Sequence, residues 1–187
     1  MSKSIVVMGA SAGAMESLGR ILPNLPSNFP LPVVVVVHLP PKNENLIVDL
    51  FRARCKVQVK EAEDKEQLAG GTVYFAPPNY HVLIEKEGCL SLSSDEPVHF
   101  SRPSVDVLFQ SAAEAYESKA IGVILTGGSE DGAEGLRWIC EAGGYGLVQD
   151  PATAEAPYMP QSALRKCPSA FAMPVDQIAD QIRRWTG

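Results

Sequence analysis

The sequence predicts an α/β fold: a mostly parallel sheet with helices on both of its sides and a small antiparallel hairpin insert. Three observations carry this. Apolar runs alternate with helix-periodic stretches through much of the 187 residues, the pattern of βα units. One run is five consecutive valines, Val33–Val37, and a strand apolar on both faces belongs to a parallel sheet covered on both faces. Between the two alternating halves, three short strand-like pieces are separated by Pro77-Pro78-Asn79 and by Glu87-Gly88, as in hairpins.

Taken in order, the apolar run at 5–8 ends in the small-residue turn Gly9-Ala10-Ser11-Ala12-Gly13 and leads to a helix over 15–22. The valine strand is bounded by Leu31-Pro32 and by Leu39-Pro40-Pro41, because proline is excluded from a central ladder. A helix over 45–55 follows. The pieces at 72–76, 81–85 and 90–93 make the insert, and a helix runs over 104–116. The second half repeats the alternation, with strand 122–125, helix 134–140, strand 146–149 and a short helix near 161–166. Residues 175–185 close the chain as an amphipathic helix with Ile178, Ile182 and Trp185 on one face.

The length predicts one domain, able to bury roughly 70% of the surface of its unfolded chain. A net charge of −6, with no dense Lys/Arg stripe, argues against nucleic-acid binding. The nearest approach, Arg52-Ala53-Arg54-Cys55-Lys56, reads as a solvated helix end. Cys55, Cys89, Cys140 and Cys167 are scattered without a C-x-x-C pair, so free thiols in a reducing compartment are expected, and neither metal nor cofactor. The first strand begins at residue 5, leaving no room for a signal peptide, and no apolar run approaches membrane-spanning length. A cytoplasmic monomer is expected, with no membrane insertion.

In an open parallel sheet the loops leaving the carboxyl ends of the strands gather on one edge, where ligands and catalytic groups sit. Three strands there deliver three polar residues. Ser11 lies in a G-x-S-x-G turn, which can lift a hydroxyl clear of the sheet. His38 ends the valine strand, and Asp131 lies in the loop Thr126-Gly127-Gly128-Ser129-Glu130-Asp131-Gly132 after strand 122–125. A serine nucleophile needs an imidazole to take its proton, and the imidazole needs a carboxylate to orient it. The plainer alternatives stand beside this. Ser11 can cap the helix starting near Ala14, Asp131 can cap the one through Leu136, and His38 can be a hydrogen-bonded core histidine. The glycine-rich turn also fits a phosphate cradle, although it carries no basic residue and no dinucleotide or P-loop pattern. His81 and His99 read as surface or rim residues. Arg102, before a helix beginning Ser104-Val105-Asp106, either recognises a carboxylate or pairs with Asp106.

Five motifs occur in order: Gly9-Ala10-Ser11-Ala12-Gly13, His38-Leu39-Pro40, Ala76-Pro77-Pro78, Arg102-Pro103-Ser104-Val105-Asp106, and Leu125-Thr126-Gly127 with Asp131-Gly132-Ala133. With them the chain resembles, over nearly its entire length, the catalytic domain of the CheB chemotaxis methylesterases. The resemblance implies a three-layer α/β/α domain that hydrolyses glutamyl methyl esters on cytoplasmic helices of chemoreceptor-type proteins, with glutamine deamidation in some members. It places the nucleophile on Ser11, the base on His38 and the carboxylate on Asp131, and it implies an oxyanion donor from the Gly127-Gly128 backbone. Ala12 stands where threonine is common, Ala14 where glycine is common, and Gly128 where some members carry methionine. A stand-alone member without the family's receiver domain is expected. The rival readings are a receptor-binding module of the same fold without catalysis and a nucleotide-binding α/β module.

Overall fold

The computed structural model describes residues 4–39 and 44–186. In chain order the elements are β1 (Ile5–Ala10), α1 (Ala14–Ile21), β2 (Val33–Val37), α2 (Glu44–Arg54), β3 (Gln58–Glu61), β4 (Thr72–Phe75), β5 (His81–Ile84), β6 (Leu90–Ser93), α3 (Val105–Tyr116), β7 (Ala120–Ile124), α4 (Ala133–Glu141), β8 (Tyr145–Gln149), α5 (Tyr158–Lys166), β9 (Phe171–Met173) and α6 (Val175–Thr186). Seven strands form one sheet in the order β3-β4-β2-β1-β7-β8-β9, and each adjacent pair is parallel. β5 and β6 form a separate antiparallel pair, the expected hairpin.

The valines divide as strand pleating requires. Val33, Val35 and Val37 join one apolar layer with Leu18, Phe51 and Ile178 from α1, α2 and α6. Val34 and Val36 join the opposite layer with Phe109, Ile139 and Ala163 from α3, α4 and α5. The hairpin residues Val82, Ile84 and Leu90 pack into that second layer. Burying each large aliphatic side chain contributes about 1.5–3 kcal/mol relative to exposure, so the central strands are fixed by both layers.

Two expectations differ from the structure. Residues 72–76 were expected in the antiparallel insert, but β4 lies in the main sheet between β2 and β3. Its four residues are all buried, the same two-faced pattern that identifies the valine strand. The edge strands β3 and β9 were not expected at all. They are short, and their burial patterns leave most side chains exposed, so no apolar run announces them. Pro40 and Pro41, expected to end the valine strand, lie outside the described residues.

β1 is where the strand order reverses, with β2 and β4 on one side and β7 and β8 on the other. The crevice at the carboxyl ends of β1, β2 and β7 is the place where this topology seats a ligand.

Candidate active site

The turn after β1 is shaped by what lies against it. A Cβ on Gly9 would overlap the Val105 side chain, because α3 crosses the sheet directly over this position. Gly13 has φ +82° and opens α1 without a side-chain cap, so Ser11 does not cap this helix. The Ser11 amide donates to the Thr126 carbonyl at 2.9 Å, which ties the turn to the loop after β7. An anion cradled on Gly13 would meet Glu155, whose carboxylate oxygen lies 3.0 Å from the Cβ position of that glycine. This charge opposes the phosphate reading.

Sheet register places the histidine. Ala10 pairs with Val37, so Ser11 and His38 are the next residues out on adjacent strands, and the His38 amide donates to the Ala10 carbonyl at 3.1 Å. His38 Nε2 lies 2.8 Å from Asp131 Oδ2, with the imidazole 14% exposed and the carboxylate fully buried. No hydrogen bond joins Ser11 to His38 in this structure.

Asp131 does not cap α4, which opens at Gly132 with no side-chain cap. It caps α3 instead. Its oxygens accept from the amides of Val105 at 2.7 Å and Asp106 at 2.9 Å and from the Ser104 hydroxyl at 2.8 Å. Burial drives the Asp131 carboxyl up, but the hydrogen bonds from His38 and from the amides of Asp106 and Val105 outweigh it and hold the group below the ordinary carboxylate range. Asp131 therefore stays ionised while it orients the imidazole.

The Thr126–Gly128 loop is held by a buried polar network that the sequence did not reveal. Gln149, at the end of β8, accepts through Oε1 from the Ser17 hydroxyl and the Thr126 amide, each at 3.1 Å. The Thr126 hydroxyl donates to the Ala12 carbonyl and accepts from the Ala156 amide, both at 2.9 Å. Gly127 was expected, with Gly128, to offer an oxyanion donor, but its amide is engaged by the Ala156 carbonyl at 2.9 Å. Among the described residues, the amides of Gly128 and Ala12 have no backbone partner. The Gly13 amide in the same turn is likewise without one.

The remaining polar candidates fall differently from expectation. His81 is buried rather than on the rim: its Nδ1 accepts the Ser104 amide at 3.1 Å and its Nε2 donates to the Glu96 carbonyl at 3.0 Å. It thereby holds the start of α3, the segment that clamps Asp131. Arg102 does not pair with Asp106; its Nη1 donates to the carbonyls of Ser94 at 2.9 Å and Asp95 at 3.2 Å. Asp106 instead faces His99 Nε2 at 3.2 Å, and its carboxyl is raised, first by burial and then, against its helix hydrogen bonds, by the charge of Asp131. Among the described residues, no group of three or more His, Cys, Asp or Glu is arranged to hold a metal ion, and no helix is long and apolar enough to cross a membrane.

The family model described as CheB methylesterase matches residues 6–182. The chain belongs to the CheB methylesterase family. A putative protein-glutamate methylesterase/protein-glutamine glutaminase of Leptospira interrogans is 46% identical over 180 residues, which is 96% of this chain and 93% of that one. A protein-glutamate methylesterase/protein-glutamine glutaminase of Carboxydothermus hydrogenoformans is 41% identical over 96% of this chain and 54% of its own. The chain thus spans about half the length of some relatives and nearly all of others. The crystal structure of the Thermotoga maritima CheB methylesterase catalytic domain superposes with a TM-score of 0.94 at 36% identity, covering 99% of this chain and 100% of that one.

Within this CheB methylesterase fold, two of the three departures noted in the sequence, Ala12 and Gly128, acquire a setting. Ala12 lacks a hydroxyl, yet its carbonyl is held by Thr126, so the turn keeps a tether that does not depend on the residue 12 side chain. A Cβ on Gly128 would meet nothing within 4 Å, so this glycine leaves space where a larger residue would stand.

Proposed function

We propose that the chain hydrolyses γ-methyl esters of glutamate on cytoplasmic helices of chemoreceptor-type proteins, and deamidates glutamine at such positions, through a Ser11-His38-Asp131 triad. The observation that carries this reading is the 2.8 Å contact of His38 Nε2 with the buried Asp131, made one register step from Ser11.

With Nε2 donating to Asp131, Nδ1 is the nitrogen left to act as base. Ser11 Oγ attacks the ester carbonyl while Nδ1 takes the hydroxyl proton. The amides of Gly128 and Ala12 stabilise the oxyanion, the second being the residue after the nucleophile, as in other serine elbows. Collapse breaks the C–O bond to the methoxy group, and the imidazolium returns its proton to give methanol. Water, deprotonated by the same nitrogen, then cleaves the glutamyl-serine ester and leaves a free glutamate. Deamidation follows the same path with ammonia as the leaving group. Thr126, Gln149 and Ser17 keep the two loops together throughout.

Labelling with a serine-directed fluorophosphonate tests the nucleophile. Stoichiometric modification of Ser11 in folded protein, lost in His38→Ala, supports the reading. No reaction at Ser11 favours the non-catalytic binding module.

A further inference from the structure

We infer that Arg102 binds a carboxylate on the substrate segment next to the reacting glutamate, so that the preferred substrate carries an acidic residue beside the methyl ester. The inference rests on the ester-hydrolase reading above and adds a specificity determinant to it.

A cavity of about 270 Å³ adjoins His38, walled by Phe75, Pro78, Phe100, Ser101 and Arg102 among others. Apolar residues such as Phe75 and Pro78 line it beside a larger share of polar surface, to which Arg102 brings the one guanidinium. Elsewhere on this acidic chain Arg20 pairs with Asp176, Arg52 with Asp49, Arg137 with Glu134 and Glu141, and Arg183 with Asp180, while Arg54, Arg165 and Arg184 form no ion pair among the described residues but are exposed to solvent. Arg102 forms no ion pair among the described residues. Its Nη1 is anchored on the two carbonyls of Ser94 and Asp95, and its Nε is buried without any hydrogen-bond partner. Buried donors are rarely left unmatched, and a guanidinium is charged at every physiological pH. The charge is therefore held in place, uncompensated, at the wall of a cavity that opens on the base of the triad.

Size points the same way. The methyl group of the ester and the methanol it becomes need only a small fraction of this space, so the cavity takes a further side chain of the substrate. Phe75 and Pro78 suit its methylene stem, and Arg102 suits its terminal carboxylate, for which the planar fork of a guanidinium is matched. The net charge of the chain is −6, so an acidic substrate segment gains little from the overall field and depends on such a local cation.

The test compares two helical peptides, each with one γ-methyl glutamate, that differ only in carrying Glu or Gln beside it. Methanol release by the wild-type chain is expected to favour the Glu peptide by roughly ten-fold or more in kcat/KM, chiefly through KM, the range for a hydrogen bond to a charged group. Arg102→Gln, which can still donate to the two carbonyls, is expected to bring the ratio close to one. Arg102→Lys should keep part of the preference, and Arg102→Glu should shift it toward a peptide with Lys at the neighbouring position. Equal kcat/KM for the two peptides with wild-type chain, or a preference that survives in Arg102→Gln, overturns the inference and leaves the hydrolase reading standing. Should Arg102→Gln fail to fold by circular dichroism, the wild-type ratio and the Lys variant decide. Methanol from neither peptide overturns the functional reading, and the inference with it.

Discussion

Asp131 and Asp106 each cap the helix on which the other depends. Asp131, just before α4, accepts the first amides of α3, while Asp106, in the first turn of α3, accepts the amides of Gly132 at 3.0 Å and Gly135 at 2.7 Å at the start of α4. The buried Asp131 carboxylate is thus positioned by two helix ends rather than by its loop alone. Two buried carboxylates repel each other, and the amides, the Ser104 hydroxyl and the flanking His38 and His99 offset that repulsion.

The exchange predicts opposite pH dependences for two variants. Ionised Asp131 is favoured by folding, so its contribution is fully present above about pH 4, the ordinary carboxylate value, and is lost as pH falls through its lower folded value. Asp106 has the reverse sign: its raised carboxyl costs stability as pH rises from about 4 through its folded value. Urea unfolding between acid and neutral pH checks this. The stability gap between wild type and Asp131→Asn should narrow toward acid, and that between wild type and Asp106→Asn should shift against the wild type toward neutrality. Parallel curves for both variants contradict the assignment of these charges.

Asp131→Asn also tests orientation of the imidazole. An asparagine retains one acceptor for the helix amides but no charge for His38, so kcat should fall by roughly 10³–10⁴-fold, the scale seen when a triad carboxylate is neutralised. A drop of only a few-fold would assign Asp131 to helix capping alone.

Neighbouring glycines in the β7 loop should respond differently to the same change. A Cβ on Gly127 would stand 2.9 Å from the Ser11 Cβ and crowd Met159, so Gly127→Ala is expected to cost about 1–3 kcal/mol and depress kcat. Gly128→Ala meets open space and should stay within about two-fold of wild type, since its amide remains available. Thermal melts and ester turnover of the two variants check the contrast.

Much of this architecture was legible in the residues, for reasons that also explain what was not. Val33–Val37 declares a two-faced strand because nothing on it is polar, and Ser11, His38 and Asp131 could be read because each follows a strong apolar run. β3 and β9 could not, since an edge strand with exposed side chains has no periodic signature. Gln149 ends its strand as His38 ends the valines, so the same question asked of β8 would have found it. The reach of Asp131 to α3 was hidden, because a cap read from sequence is sought on the helix that follows, whereas here the sheet order brings α3 against the loop. His81 does lie in the hairpin, but its burial was hidden because its partners, Ser104 and Glu96, lie far along the chain.

Gln149 supplies a further prediction. Gln149→Leu leaves the Thr126 amide and the Ser17 hydroxyl buried without an acceptor, each worth about 1–3 kcal/mol, and should lower kcat by loosening the loop that carries Gly128. Gln149→Glu keeps an oxygen at that place and should restore much of the turnover. Equal losses in both variants would indicate that the acceptor is not what matters.

The most direct test of the central claim is methanol release from a methylated chemoreceptor fragment by wild-type chain and by Ser11→Ala. The wild type should release methanol in repeated turnovers. The variant should release none above background while melting at the wild-type temperature, because among the described residues Ser11 is tied to the fold through its backbone amide and carbonyl and not through its hydroxyl. Undiminished release by a folded Ser11→Ala chain would contradict the assignment of Ser11 as nucleophile.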